Sequence, residues 1–252
     1  MQVPSAPRDL PPNLVSVAQV FRSLIGRNHS PHPENWVPGL QHPSLPPRPA
    51  AFPPPDPTAP PLRPSQYKLN PFFRHSRWGP GTIHWDIRGE PTTVFFKTES
   101  ERTGERCLVP IGLSDFAQPA THPLCTSMRI AAVADDAAKT FPWVVEVHNP
   151  LGVRCEDVFR ALSTNFTQHI TREEWAGLNE ERQGRVANAW KERCRIRDQR
   201  LAFGPRETVR WGAGADALRR VDYLGDRVRF RGLEPLGDGD VEEGWMMFVG
   251  PL

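Results

Sequence analysis

The sequence predicts an α+β domain, a mainly antiparallel sheet packed by about three helices, behind a disordered, proline-rich N-terminal tail. Three observations predict it. Eighteen of the 29 prolines fall in residues 1–66, whereas seven of the eight tryptophans follow residue 66. Between Phe141 and Trp190 the apolar period switches from two residues to about 3.6, the mark of a strand feeding helices. Strand-like segments stand both before and after that helical stretch, which is the order of an α+β chain. The boundaries that follow are a tail over 1–66 and a single globular domain over 67–252, long enough to bury its own core.

Within the tail, Asn13 caps a short amphipathic helix near 13–25, with Leu14, Val17, Phe21 and Leu24 along one stripe and Gly26 just beyond it. Residues 38–64 are proline-rich with little aliphatic content, a composition that favours polyproline II because proline lacks the N–H that a ladder needs. Pro43, Pro46 and Arg48 stand at the spacing at which such a helix offers two prolines and a cation to an aromatic groove. A plain spacer explains the same composition.

The folded region opens at Tyr67 with an apolar anchor broken by Asn70-Pro71. Ile83, Trp85 and Ile87 alternate with His84 and Asp86, so a strand is expected there. Val94-Phe95-Phe96 reads as a second strand, and Lys97 to Arg106 as a charged, solvated loop. Cys107 to Ile111 is expected to return as an edge strand, because Pro110 cannot donate to a central ladder. Met128 to Val133 is another strand. Phe141 to His148 follows, with Trp143, Val145 and Val147 on one face and Glu146 and His148 on the other.

After Asn149-Pro150-Leu151-Gly152, helical spacing takes over in Cys155, Val158, Phe159, Leu162 and Phe166. Arg154 is a poor cap, although Glu156 and Asp157 suit a first turn. Thr171-Arg172-Glu173-Glu174 is a capping box that starts a second helix. Asn179 starts a third, with Val186, Trp190 and Cys194 inward and an end between Ile196 and Leu201. Leu218–Leu224, Gly225-Asp226 and Arg227–Phe230 read as a hairpin, and Trp245–Val249 as the last strand.

The chain carries 31 Lys and Arg against 29 Asp and Glu, a net charge of +2, too small by itself to imply nucleic acid or a membrane surface. Cys107, Cys125, Cys155 and Cys194 are scattered and form no CxxC pair. No secretory leader and no run of 18 apolar residues is visible, so a cytoplasmic or nuclear protein with reduced thiols is expected, not a secreted or membrane one.

Read in order, Leu69-Asn70-Pro71, Trp85-Asp86-Ile87-Arg88, Pro119-Ala120-Thr121-His122-Pro123, Pro142-Trp143-Val144-Val145-Glu146-Val147, Thr171-Arg172-Glu173-Glu174-Trp175 and Arg219-Arg220-Val221-Asp222-Tyr223-Leu224 resemble a known series. It is that of an uncharacterised domain of unknown function widespread in mushroom-forming (basidiomycete) fungi, and the likeness covers residues 67–250. The resemblance implies a fungal intracellular α+β domain and supplies no activity or cofactor. The chain departs from that pattern in an insertion around Thr92–Arg106 and at Arg154, where Ser or Thr would be expected.

Three functional readings compete. The first is a non-catalytic protein-interaction domain whose proline-rich arm recruits or spaces protein partners. The second is a phosphate- or RNA-binding module built on an arginine-rich face between Arg182 and Arg231, with Arg193, Arg197, Arg200, Arg219 and Arg220 as the anion-binding candidates. Nine cations stand against three anions between Arg182 and Arg210, but five acidic residues from Glu234 to Glu243 offset them. The third is a hydrolase-like enzyme. His84 and Asp86 share a strand face, and His122 lies three residues before Cys125, yet no GxSxG elbow accompanies them. No metal or organic cofactor is expected. Asp238–Glu243 lacks the glycine and the closing glutamate of a calcium loop. Gly212–Ala217 leads into no long helix that could face a pyrophosphate.

Overall fold

A computed structural model describes residues 62–75, 83–99, 106–134, 141–203, 217–237 and 244–251. The expected 13–25 helix, Pro43, Pro46 and Arg48, the Gly212–Asp216 run and the acidic segment from Asp238 to Glu243 lie outside the described residues.

The strands are β1 (Lys68–Leu69), β2 (Ile83–His84), β3 (Phe95–Glu99), β4 (Arg106–Pro110), β5 (Thr121–His122), β6 (Ser127–Val133), β7 (Val145–His148), β8 (Arg229–Pro235) and β9 (Trp245–Gly250). The helices are α1 (Leu113–Phe116), α2 (Cys155–Thr167), α3 (Arg172–Ala176) and α4 (Glu180–Phe203). Four strands form the main sheet in the order β7-β6-β9-β8, three form a second sheet β2-β3-β4, and β1 pairs with β5. All pairings are antiparallel except β6 with β9. The α+β expectation holds, with one parallel contact inside the main sheet.

The two larger sheets are joined through the chain that continues β2. Ile87 donates its N–H to the Val228 carbonyl at 2.9 Å, and Phe230 donates to the Trp85 carbonyl at 3.0 Å. Ile83, Trp85 and Ile87 are all buried, so the period-two reading was right about the inward face even though only two residues are ladder-paired. Asn70, fully buried, explains the opening anchor. Its side-chain amide donates to the Pro119 carbonyl at 3.0 Å, and its Oδ1 accepts from the Phe72 N–H at 3.1 Å.

α2 carries the core. Phe159 lies 5.0 Å from Phe73 and 5.3 Å from Trp85, and Phe166, two turns further on the same face, lies 5.9 Å from Phe141. Val158, Leu162 and Cys155 are buried beside them, as helical spacing predicted. Arg154 supplies no capping side chain at the start of α2; its own N–H donates to Asp157 Oδ2 at 2.9 Å, and the Cys155 N–H that opens the helix donates to the Gln118 carbonyl at 2.8 Å. The α3 capping box forms as expected. The Thr171 N–H reaches Glu174 Oε2 at 2.7 Å, and the Glu174 N–H reaches Thr171 Oγ1 at 3.1 Å. Asn179 Oδ1 accepts from the Arg182 N–H at 2.8 Å and so opens α4, which runs to Phe203, past the expected end.

Two further expectations fail. The charged stretch from Lys97 to Arg106 is not wholly a loop. Lys97, Thr98 and Glu99 pair with Leu108, Cys107 and Arg106, extending the hairpin and making β4 an edge strand as its proline required. More consequentially, residues 218–230 form no hairpin. Arg220–Leu224 is a 3-10 turn with Val221, Asp222, Tyr223 and Leu224 all buried. A strand would have sent Asp222 to the face opposite Val221 and Tyr223. The turn brings it inward, where its Oδ2 accepts from the Arg219 N–H at 2.8 Å and Arg193 can reach it. Gly225, at φ +66°, then redirects the chain towards β8.

Candidate functional site

The catalytic candidates stand on separate elements. His84 sits on β2 opposite Phe95, and His122 sits on β5 opposite Lys68, in a different sheet. Asp86 is turned onto Arg88, whose Nε lies 2.9 Å from Oδ1 and whose Nη2 lies 2.7 Å from Oδ2. The Arg88 N–H adds a 3.0 Å bond to Oδ1, so the carboxylate is held by its own loop. Burial raises the Cys125 thiol above its usual range and raises Cys155 well above it, with Asp115 and Asp157 adding to the latter. Thiols held protonated in this way are poor nucleophiles. Among the described residues, no group of three or more His, Cys, Asp or Glu is placed to hold a metal ion.

Two of the anion-binding candidates already hold internal carboxylates. Arg193 grips Asp222 with two prongs, Nε to Oδ1 at 2.7 Å and Nη2 to Oδ2 at 2.8 Å, and Nη2 also donates to the Ala217 carbonyl at 3.0 Å. Arg220 Nη2 lies 3.0 Å from Glu174 Oε1, and its guanidinium stacks 5.2 Å above the Trp143 ring. Trp143 Nε1 donates to the same Glu174 oxygen at 2.7 Å. Arg219 caps the same turn through its backbone. Arg197 and Arg200 lie on the last turns of α4. The arginines that look like a basic face in sequence therefore work in part as clasps that pin the 3-10 turn to α3 and α4.

What sequence reasoning missed lies along β7. This strand ends the main sheet, paired with β6 on one side, and among the described residues no strand pairs with its other side. A groove of about 370 Å³ runs between β7 and α2, lined by residues that include Val145, Val147, Arg160, Ala161, Thr164 and Asn165. Which backbone groups face it follows from the ladder. The Asn149 N–H donates to the Thr126 carbonyl at 2.9 Å, one step beyond the Ser127–His148 pair. In an antiparallel ladder hydrogen-bonded pairs alternate, so Val147 and Val145 bond inward to β6. The N–H and C=O groups of Glu146 and His148 point away from β6. Both side chains are exposed, and Glu146 makes one surface contact, to Arg129 Nε at 3.2 Å. The outward edge offers two donors and two acceptors in the spacing of a strand.

The alternation of Glu146 and His148 with Val145 and Val147 was visible in sequence. That β7 is an edge was not, because it depends on where β9 inserts. Among the described residues no helix is long and apolar enough to cross a membrane. No curated protein and no solved structure matches the chain. The profile of a family of unknown function (DUF6699) matches residues 83–241, and on that match the chain belongs to this family.

Proposed function

We propose that the domain is a non-catalytic protein-interaction module that engages an extended segment of its partner along the β7 edge. The observation that carries the reading is the pair of outward backbone sites at Glu146 and His148 beside the α2 groove. Strand addition to an exposed edge draws affinity from main-chain hydrogen bonds and selectivity from a flanking groove, and β7 with α2 has both parts. The proline-rich arm, with Pro43, Pro46 and Arg48, then recruits or spaces further partners. The setting is the cytoplasm or nucleus of a mushroom-forming fungus. The phosphate- or RNA-binding alternative is weakened because Arg193 and Arg220 are neutralised by Asp222 and Glu174.

The test is selection of extended peptides from a display library on the immobilised full chain, repeated with Glu146→Pro. Proline removes the outward N–H at that position and leaves the β6 ladder untouched, so the variant keeps its melting temperature and loses the selected binders. Binders unaffected by the substitution, or no binders at all, would overturn the reading.

A further inference from the structure

Resting on the β7-edge reading, we infer that the occupant of that edge is a second copy of this chain, paired antiparallel about a two-fold axis through Val147. The strand is self-complementary in only one register. Sites with outward backbone groups must meet sites of the same kind, which restricts the opposing residues to Glu146 and His148 and their even-numbered neighbours. Setting Glu146 against Glu146 of the second copy places like charges directly opposite, which is unfavourable. Setting His148 against itself brings Glu146 opposite Pro150, which has no N–H to give.

The remaining register sets Glu146 against His148 of the second copy, and His148 against its Glu146. Each of these pairs exchanges two backbone hydrogen bonds. On the exposed face a carboxylate then meets an imidazole twice. Glu146 lies between Arg129 of its own β6, at 3.2 Å, and that imidazole. The two-fold axis is perpendicular to the sheet, so both α2 helices stand on one face and the two grooves merge. Their walls carry Asp157 and Arg160, of opposite charge, beside Ala161, Thr164 and Asn165. An interface of this isologous kind is the commonest closed assembly, and it removes the open edge that a lone copy exposes.

Four main-chain bonds make a weak seam, so the readout is a dilution series of the full chain by sedimentation velocity. The wild type is expected to shift from monomer to dimer as concentration rises. Glu146→His and His148→Glu each place like residues opposite one another and raise the dissociation constant about tenfold. Both positions are exposed, so neither change disturbs folding. Mixed together, the two variants regain complementarity and form a heterodimer of wild-type strength. A wild type that stays monomeric throughout, or a mixture no tighter than its components, overturns self-pairing. If such a monomer still selects extended peptides that Glu146→Pro abolishes, the edge reading survives, and if it selects none, both fail.

Discussion

Arg193 on α4 closes a two-pronged ion pair on Asp222, at 2.7 and 2.8 Å, across 29 residues of sequence, and Asp222 is only 2% exposed. The pair anchors the long helix to the 3-10 turn. Removing one member leaves a buried charge without its counterpart, which is more costly than removing both. Asp222→Ala is expected to lower stability by about 3–5 kcal/mol, and Arg193→Met with Asp222→Leu by much less. Urea unfolding of the three proteins tests this. Equal losses in the single and double variants would show that the pair contributes nothing beyond packing.

Glu174 has its pKa set by opposing effects. Partial burial raises it, but the Thr171 N–H, the Trp143 indole and Arg220 together outweigh that and leave it below the usual carboxylate range. A group whose folded pKa is depressed contributes stability above its unfolded value, about 4.3, and loses it as pH falls through the folded value. Thermal melts should therefore show the wild type losing more stability between about pH 5 and pH 3 than Glu174→Gln does. Parallel pH profiles would remove Glu174 from the acid response.

Gly232 and Gly184 make an opposed pair. Gly232 has φ +125°, and a Cβ there would lie 2.5 Å from the His75 backbone nitrogen. That close approach lets His75 stack on Phe248 at 3.7 Å and bond Glu234 at 2.8 Å. Gly232→Ala is expected to destabilise by more than about 2 kcal/mol, from strain and backbone overlap. Gly184, within α4, has nothing within 4 Å of an added Cβ, so Gly184→Ala should stabilise by about 0.5–1 kcal/mol. Chemical denaturation of both variants gives the two signs.

Phe159 is fully buried and meets Phe73, Trp85, Phe116 and Phe230. Phe159→Ala should cost about 3–5 kcal/mol from lost burial and the cavity left behind. Leu113, which is 89% exposed, is the control, and Leu113→Ala should fall within about 0.5 kcal/mol of the wild type. Differential scanning fluorimetry of the pair checks the contrast.

The helices were legible because their signals are local. Val158, Phe159, Leu162 and Phe166 share one face at helical spacing, and Thr171 with Glu174 is a complete capping signature. The 218–230 segment misled for the opposite reason. Val221 and Tyr223 alternate as in a strand, but the partner that turns Asp222 inward is Arg193, which no local pattern connects to it. The arginine candidates were read from composition, and whether an arginine faces solvent or a carboxylate depends on what packs against it. The β7 groove had only a faint trace, the polar Glu146 and His148 on an otherwise apolar strand.

The sequence by itself determined the three longer helices, most of the strands and which side of each turns inward, since periodicity and capping act within a few residues, but not the turn at Arg220–Leu224. Tertiary structure alone decided that β9 inserts parallel to β6, that β7 is thereby left at the rim, and that Arg193 and Arg220 are spent on Asp222 and Glu174. Those outcomes turn on contacts between elements far apart in the chain. A strand's own residues specify its faces, whereas its neighbours specify whether its backbone is satisfied or left open to a partner.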